Sequence, residues 1–462
     1  MRRPIGAVGA VTGDPAETVR RWLRTLGDIT PPPAPARVAG CPFLDWAASG
    51  AMELTGEADG PPVLSPAPMT ALLRESVAAL AHMAGPFPVD PVLVLGGRAG
   101  AMNLTRRGRT SVGGATRLLR ASDGWCAVTL SRPDDLELVP AMLGRADLTD
   151  PWQELTRAVR GAKANEFADH IRMFGVPAAA LPPEPPSVDV PWRVSTIAAP
   201  DGDARRLDGV LVVDLSSLWA GPLCARLLGL AGARVVKVES TRRPDGARTG
   251  NRRFYDWLHA GHESVAVDFT LPEGRSALAD LVRAADVVIE ASRPRALAQL
   301  GLTPERLDHR AGKVWVSITG YGRGHPDRVA FGDDAAVAGG LVGRSADGEP
   351  VFCADAVADP LTGVVAALGA LGALACGGGQ LIDVSMRNVA AAFATAPRVD
   401  HGPHPVRRAP GGSVVECPAL GRMQEVLPPR APVAERAAPA MGADTARILS
   451  RVAELRGRSA PR

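Results

Sequence analysis

The feature that most constrains this chain is a regular alternation of β-rich runs and helical patterns between residues 208 and 322. "GVLVVDL" (209–215), "RVVKVES" (234–240), "SVAVDF" (264–269), "DVVIEAS" (286–292) and "KVWVSITGYG" (313–322) read as buried strands. Between them lie "PLCARLLGLAG", ending in glycine, the amphipathic "EGRSALADLVRAA", and a short helix around 295–300. Continuous Val/Ile/Leu runs bury a strand on both faces, and strands separated by ten-residue helices require right-handed crossovers. The expected fold is α/β with a mainly parallel, Rossmann-like sheet, whose C-terminal strand ends form the ligand-binding edge. Those ends present residues 218–221, 239–243, 292–295 and 319–322.

Proline divides the rest. "TPPPAPA" (30–36) separates a short helix (15–26) from the segment after it, and "LPPEPPSVDVPW" (181–192) reads as an interdomain linker. Between them "PVLVLGG" (91–97) reads as a strand, and "ATRLLRASDGWCAVTLSR" as two strands joined at Ser122-Asp123-Gly124. Amphipathic helices then run up to residue 181. The resulting division is a helical segment (1–88), a smaller α+β domain (89–185), a linker (186–207), the α/β domain (208–395), and a proline-rich return segment with a C-terminal helix (396–462). There is also an internal echo. "DWAASGAMELTGEADGPPV" from Asp45 and "DAAVAGGLVGRSADGEPV" from Asp334 share an Asp, a small-residue stretch, then Asp-Gly and proline. The second copy runs on to Asp359, whereas the first has no carboxylate at the equivalent place.

Composition excludes several classes. A net charge of +3 over 462 residues implies no general affinity for nucleic acid or membrane surfaces. No run reaches the ~18 uninterrupted apolar residues of a membrane span. The six cysteines (Cys41, Cys126, Cys224, Cys353, Cys376, Cys417) show no CxxC pair and no matched histidine spacing. Free thiols in a reducing compartment, with no disulfide framework and no metal, are therefore expected. The N-terminus "MRRPIGAVGAVTGDPAE" lacks a signal-peptide core, so a cytoplasmic location is expected. "DLSSLWAGPLCARLL" has one glycine and a proline where a GxGxxG fingerprint would stand, and "GGRAG" (96–100) lacks the βαβ setting. Neither NAD nor FAD is expected.

Several residues offer chemistry alongside plainer roles. Arg242, Arg243, Arg293 and Arg295 suit phosphates, or are solvated arginines in an arginine-rich chain. His259 and His262 have no partner motif and read as surface or strand-entry residues. Asp359, followed by Pro360 and an apolar helix, fits the rule for an N-cap. The same position sets a carboxylate at the positive end of a helix, where it stays ionised and can attack an electrophile. Asp355, Asp333 and Asp334 are nearby alternatives, and Asp334 also suits a cap.

The α/β half resembles the family III CoA-transferases, the group containing formyl-CoA transferase, carnitine CoA-transferase and α-methylacyl-CoA racemase. The resemblance rests on "VLVVDLSSLWAGPLCARLLGLAGARVVKVE" (210–239), "SVAVDFTLPEGRSALADLVRAADVVIEASRPRAL" (264–297) and "VSITGYG" (316–322). "GDDAAVAGG" (332–340), "ADPLTG" (358–363), "GGGQLIDVSM" (377–386) and the ending "APAMGADTARIL" (438–449) continue it. "RLLRASDGWCAVTL" and the helices after it resemble the family's smaller domain, here placed before the CoA-binding half. Residues 1–88 then resemble a partial, degenerate copy of the family's central region.

The resemblance implies a CoA-transferase, with acyl-CoA and a carboxylic acid as substrates and a homodimer as the assembly. Asp359 becomes the nucleophile, forming an aspartyl mixed anhydride and then an aspartyl-CoA thioester, with Asp333 beside it. Coenzyme A is expected near Trp219, Ala220, Arg242, Arg243, Asp268, Ser292 and Arg293. Gly332-Asp333-Asp334 departs from the Gly-His-Asp of racemase members, which lowers the racemase alternative. Trp219 replaces a Gln of formyl-CoA-type members. The remaining alternatives are a related acyl-CoA-processing enzyme and a catalytically degenerate CoA-binding or partner protein.

Overall fold

The structure, a computed structural model, describes residues 13–29, 40–85, 89–90, 93–146, 148–202, 207–397 and 401–459. The proline stretch at 30–36 and the first twelve residues lie outside that set.

A seven-stranded sheet organises the α/β half. Its strands are β1 (Trp192–Thr196), β2 (Leu211–Asp214), β3 (Arg234–Ser240), β4 (Glu263–Val267), β5 (Val287–Glu290), β6 (Val314–Thr319) and β7 (Gln380–Ser385). Their spatial order is β1-β7-β6-β5-β2-β3-β4, parallel throughout except for β1, which runs antiparallel at one edge. The register follows the apolar runs, with Val213 beside both Val236 and Val288. From β2 the chain winds outward to β3 and β4, then returns to β5 on the other side. The strand order therefore reverses between β2 and β5, and loops leaving adjacent strand ends there diverge to open a crevice.

Both faces of the sheet are covered. One carries the helices Ala220–Leu230 and Ala358–Ala375, and the other carries Pro272–Ala284 and the C-terminal Thr445–Ser459. The Ala358–Ala375 helix lies against Ala220–Leu230 and Met69–Ala84. A Cβ at Gly363 would fall 2.8 Å from the Ala220 carbonyl oxygen, so glycine there sets the helix spacing. By length and composition this helix could cross a membrane, with a mean hydropathy of 1.5, but 89% of it is packed inside the protein. The run is not uninterrupted, since Asp359 stands at the second position of the helix, so the sequence reading of no continuous 18-residue apolar stretch holds here.

The smaller domain matches its expected elements. Strands Thr116–Arg120 and Trp125–Thr129 pair as a hairpin, Ala178–Ala180 adds a third strand, and helices Pro151–Arg160 and Ala164–Met173 cover them. The expected strand at 91–97 is instead a 3-10 turn, Leu93–Leu95, leading into helix Gly97–Met102, with residues 91–92 outside the described set. The Gly-Gly-Arg-Ala-Gly run supplies no β-branched residues after Val94, and packing overrides the short apolar run.

Two further expectations are corrected. The 186–207 "linker" contains β1, anchored because Trp192 donates its indole N–H to Thr25 Oγ1 at 2.9 Å while Trp22 donates to the Asp189 carbonyl at 3.0 Å. The return segment, expected only as proline-rich, holds regular structure: Val406–Ala409, Gly412–Cys417 and Arg422–Glu425 form a three-stranded antiparallel sheet packed on helix Pro42–Ala48. That sheet brings Cys417, His401 and His404 to Cys41, a Cys/His grouping that linear spacing did not show.

Candidate active site

A cleft of about 130 Å³ opens at the strand-order reversal, outside the C-terminal ends of β2, β5 and β6. It is lined by Ser217, Leu218, Ala220 and Gly221 after β2, by Ala291, Ser292 and Arg293 after β5, and by His325, Pro326 and Arg328 with residues 329–331 in the loop after β6. Asp359 is the one carboxylate among the lining residues. The N–H groups of Ala220 and Gly221 begin the helix Ala220–Leu230, so no turn of their own helix can pair them.

Asp359 is not the N-cap that the sequence rule predicted. The helix begins at Ala358 after Val357, and no side chain caps it. The Asp359 carboxylate instead reaches across to accept the Gly332 N–H, at the start of helix Gly332–Ala338. Gly332 permits this approach, since a Cβ there would lie 2.3 Å from the Ala356 carbonyl oxygen and 2.4 Å from Asp359 Oδ2. Burial pushes Asp359 up to about 7; Arg98 opposes the shift, Asp333 and Asp355 add to it, and the Gly332 N–H opposes it. Near neutral pH the group is therefore divided between its acid and its carboxylate form.

The turn before Asp359 is held in a costly shape. Ala354 (φ 54°) and Ala356 (φ 42°) both occupy the left-handed region, which penalises residues bearing a Cβ by about 1–2 kcal/mol each. Three contacts fix it. Ala354 N–H donates to Thr55 Oγ1 at 2.9 Å, Ala356 N–H donates to Asp333 Oδ1 at 3.1 Å, and Arg98 pairs with the fully buried Asp355. The Arg98 Nε–Oδ2 distance is 2.9 Å, and the guanidinium lies 5.3 Å from the centre of the Trp219 ring. Burial works against the Arg98 charge, but Asp355, then Asp333 and Asp359, outweigh it. Helix Gly97–Met102 thus supplies the countercharge for Asp355, 257 residues further along the chain, and for the acids beside it.

Asp333 stands behind Asp359 rather than in the cleft lining. Its oxygens accept Ala356 N–H and Thr116 Oγ1 (3.3 Å), and burial, then Asp355, push it up to about 6. Asp334 does not precede a helix as its N-cap but stands at the third position of helix Gly332–Ala338, whose start it closes by accepting the N–H of the N-cap Phe331 at 2.9 Å; it also accepts Thr129 Oγ1 at 3.2 Å, and burial raises it to about 8.

The residues expected at coenzyme A fall in three places. Ala220, Ser292 and Arg293 line the cleft. Arg242, Arg243 and Asp268 lie on the outer strand-end edge, where Arg242 donates to Asp268 at 2.8 Å and Thr270 also serves that carboxylate. Trp219 is buried behind the cleft between Arg98 and Phe254, 5.2 Å from the Phe254 ring. Arg293 is crowded by other cations. Burial, then Arg295, Arg132 and Arg243, lower its hold on the proton, and its Nη2 donates to the Gly175 carbonyl of the smaller domain at 3.4 Å.

Sequence reasoning missed Arg98, His325 and Arg328. His325 and Arg328 come from the loop after β6, which carries no motif. It also missed how Leu218 is held at φ 72°. Leu218 N–H donates to Asp245 Oδ1 at 3.1 Å, and Asp245 pairs with buried Lys237 Nζ, also at 3.1 Å. His259 and His262 are buried rather than superficial, with their Nδ1 atoms 3.4 Å apart, because the helix Arg252–His259 packs inward.

Residues 207–420 match CoA-transferase family III. Succinyl-CoA–D-citramalate CoA-transferase of Chloroflexus aurantiacus is 33% identical over 39% of this chain and 49% of its own length. Succinate–glutarate CoA-transferase of Agrobacterium fabrum is 34% identical over 40% of this chain and 52% of its own. The chain thus spans about half the length of these curated relatives. A CaiB/BaiF family protein from Brucella suis superposes with a TM-score of 0.40 at 26% identity, covering 45% of this chain and 65% of that one. The matched region contains all seven strands of the sheet but β1, together with every lining residue of the cleft, and it is this part of the chain that is similar to CoA-transferase family III.

Proposed function

We propose that the chain moves coenzyme A between an acyl-CoA thioester and a carboxylic acid, with Asp359 as the covalent carrier. The observation that carries this reading is a single carboxylate, poised between acid and base, in a cleft otherwise lined by apolar groups, backbone, hydroxyls, one imidazole and two arginines. An Asp359 oxygen attacks the thioester carbonyl carbon, the C–S bond breaks, and CoA thiolate leaves a mixed anhydride. The thiolate then attacks the Asp359 carboxyl carbon, expelling the donor carboxylate and leaving an aspartyl-CoA thioester. The acceptor carboxylate repeats both steps in reverse order and frees Asp359. Each step exchanges one acyl bond for another, so no oxidant or water is consumed. The N–H groups of Ala220 and Gly221 are suited to stabilise the developing oxyanion.

At about 130 Å³ the cleft is smaller than the roughly 300–1,000 Å³ of a drug-sized pocket. In this reading it takes the thioester end, and the nucleotide lies along the strand-end edge by Arg242 and Arg243. The test is to incubate the protein with a panel of acyl-CoAs, add hydroxylamine, and map the product by peptide mass spectrometry. A hydroxamate at Asp359, absent in Asp359→Ala, supports the carrier role. CoA binding without any adduct supports a degenerate module, and no CoA binding ends the reading.

A second reading, acyl-CoA α-proton exchange, is favoured by His325, which lines the cleft with Asp359 and offers a second acid/base group. Deuterium incorporation at the α-carbon without an acceptor acid, lost in His325→Ala, distinguishes it from transfer.

A further inference from the structure

The return segment poses a physical problem. Half of the residues of its three-stranded sheet are exposed, and Val415 and Cys417 are its only fully buried apolar residues among those described. An isolated sheet of this size is marginal in water, and small units of this kind are commonly fastened by a disulfide or a metal. Yet its first loop and last strands are held firmly to helix Pro42–Ala48, and Leu427 N–H donates to the Ala47 carbonyl at 2.9 Å.

At that junction, four ligand-type side chains from three parts of the chain converge. Cys41 precedes helix Pro42–Ala48, His401 and His404 come from the loop before the sheet, and Cys417 ends its middle strand. One ligand atom from each lies within 4.8 Å of all the others. Cys41 Sγ is 3.0 Å from His404 Nε2, and Cys417 Sγ is 3.8 Å from His401 Nδ1. A tetrahedral ion bound at Zn–S ≈ 2.3 Å and Zn–N ≈ 2.0–2.1 Å separates neighbouring ligand atoms by about 3.3–3.8 Å. Cys41, His404 and Cys417 are buried and His401 is half-buried, so little water reaches the centre of the group. Phe43 covers one side, with its ring 4.5 Å from that of His404.

We propose that Cys41, His401, His404 and Cys417 bind one structural zinc ion that fastens the return segment to the N-terminal helices. The donor set chooses the metal class. Two thiolates and two imidazoles at tetrahedral spacing suit Zn(II), whereas hard oxygen-seeking cations find no carboxylate in the group. Four protein ligands leave no open position, which marks a structural rather than a catalytic site. Without a metal, burial, with the Cys417 thiol beside it, holds the Cys41 thiol well above its ordinary range. Zinc binding releases both thiol protons to solvent and forms two Zn–S and two Zn–N bonds, with no change of oxidation state. None of the four residues lines the Asp359 cleft, so this site stands apart from the proposed transfer chemistry.

The experiment uses the full chain, expressed with zinc in the medium, dialysed against metal-free buffer and measured by plasma mass spectrometry. About one zinc per chain is expected for the protein and for Cys376→Ser, and below about 0.1 in Cys41→Ser/Cys417→Ser. Exchange with Co(II) should give the visible bands of tetrahedral cobalt and near-ultraviolet thiolate charge transfer. This spectrum needs no variant and stands even where the double variant fails to fold. Substoichiometric zinc in the unaltered chain, or an octahedral cobalt spectrum, would overturn the proposal. So would a denatured thiol titration missing two thiols, which would mark a Cys41–Cys417 disulfide.

Discussion

The two echoed segments place the same sequence pattern in opposite roles. In the first copy, helices Pro42–Ala48 and Met69–Ala84 carry Asp45 outward, where both its oxygens accept from Arg74 at 2.7 and 3.1 Å. In the second, helices Gly332–Ala338 and Ala358–Ala375 turn Asp334 inward and bring Asp359 to the cleft. Counting eleven residues from Gly60 and from Gly348, the first copy has Ala71 where the second has Asp359. The copies also pack on each other at matching places: the long helices lie side by side, and the equivalent residues Thr55 and Gly343 touch. A repeat packed this way resembles a two-fold contact inside one chain, free to keep chemistry on one side only. The first copy became the scaffold, supplying Thr55 to the strained turn and leading into the segment that supplies Arg98.

The sharpest way to break the comparison is to remove the one difference that matters for chemistry. Asp359→Ala should lower kcat for CoA transfer by about 10⁴-fold or more, as expected when a covalent carrier is lost, and abolish hydroxylamine-trapped adduct. Residual activity within tenfold of the unaltered chain would assign the carrier elsewhere. Next in size is Gly332→Ala. The added methyl meets the Ala356 carbonyl and the Asp359 carboxylate, so the turn and Asp359 must both shift. A misplacement of this order should cost about 10²-fold in kcat, and overpacking about 1–3 kcal/mol of stability, read by urea unfolding.

Arg98→Met tests the contribution of the first half to the second. It leaves Asp355 buried and uncompensated, which should cost about 3–5 kcal/mol. Because Arg98 opposes the upward shift of Asp359, its loss should move the acid limb of the pH profile for adduct formation to higher pH. In the unaltered chain that limb should rise through about pH 7 as Asp359 ionises. An unmoved limb in a folded Arg98→Met would separate the arginine from the nucleophile.

How much of this was legible depends on the range of the interaction that decides it. The parallel sheet could be read because each strand is a local run of β-branched residues, and Asp359 because its neighbours in sequence carry the resemblance. Its pairing could not be read, since the rule for a cap considers one helix whereas the carboxylate answers to Gly332 on another. Arg98, β1 and the Cys41–His401–His404–Cys417 group share the same obstacle. Each acquires its role from partners well over a hundred residues away, and nothing in the local pattern records that distance.

The smallest expected effects sharpen the contrast between Asp45 and Asp334, the aspartates that open the two copies, in opposite surroundings. The Arg74–Asp45 pair is partly exposed, with the arginine side chain 45% accessible. Asp45→Asn should therefore cost no more than about 1 kcal/mol, diminish further in salt, and leave activity within about twofold. Asp334→Asn should behave in the reverse sense. Burial raises the Asp334 carboxyl to about 8, far above its ordinary value. Its contribution to stability is thus complete at low pH and is lost as the pH rises through 8, because the unfolded chain releases the proton more readily. An asparagine at 334 retains an oxygen to accept the Phe331 N–H and carries no charge to bury. The difference in Tm between Asp334→Asn and the unaltered chain should therefore grow in favour of the variant from pH 5 to pH 8 and level off above. A difference that stays flat with pH, as expected for Asp45→Asn, would mean that Asp334 is ionised in the folded protein at neutral pH, its charge met by the N-terminus of helix Gly332–Ala338.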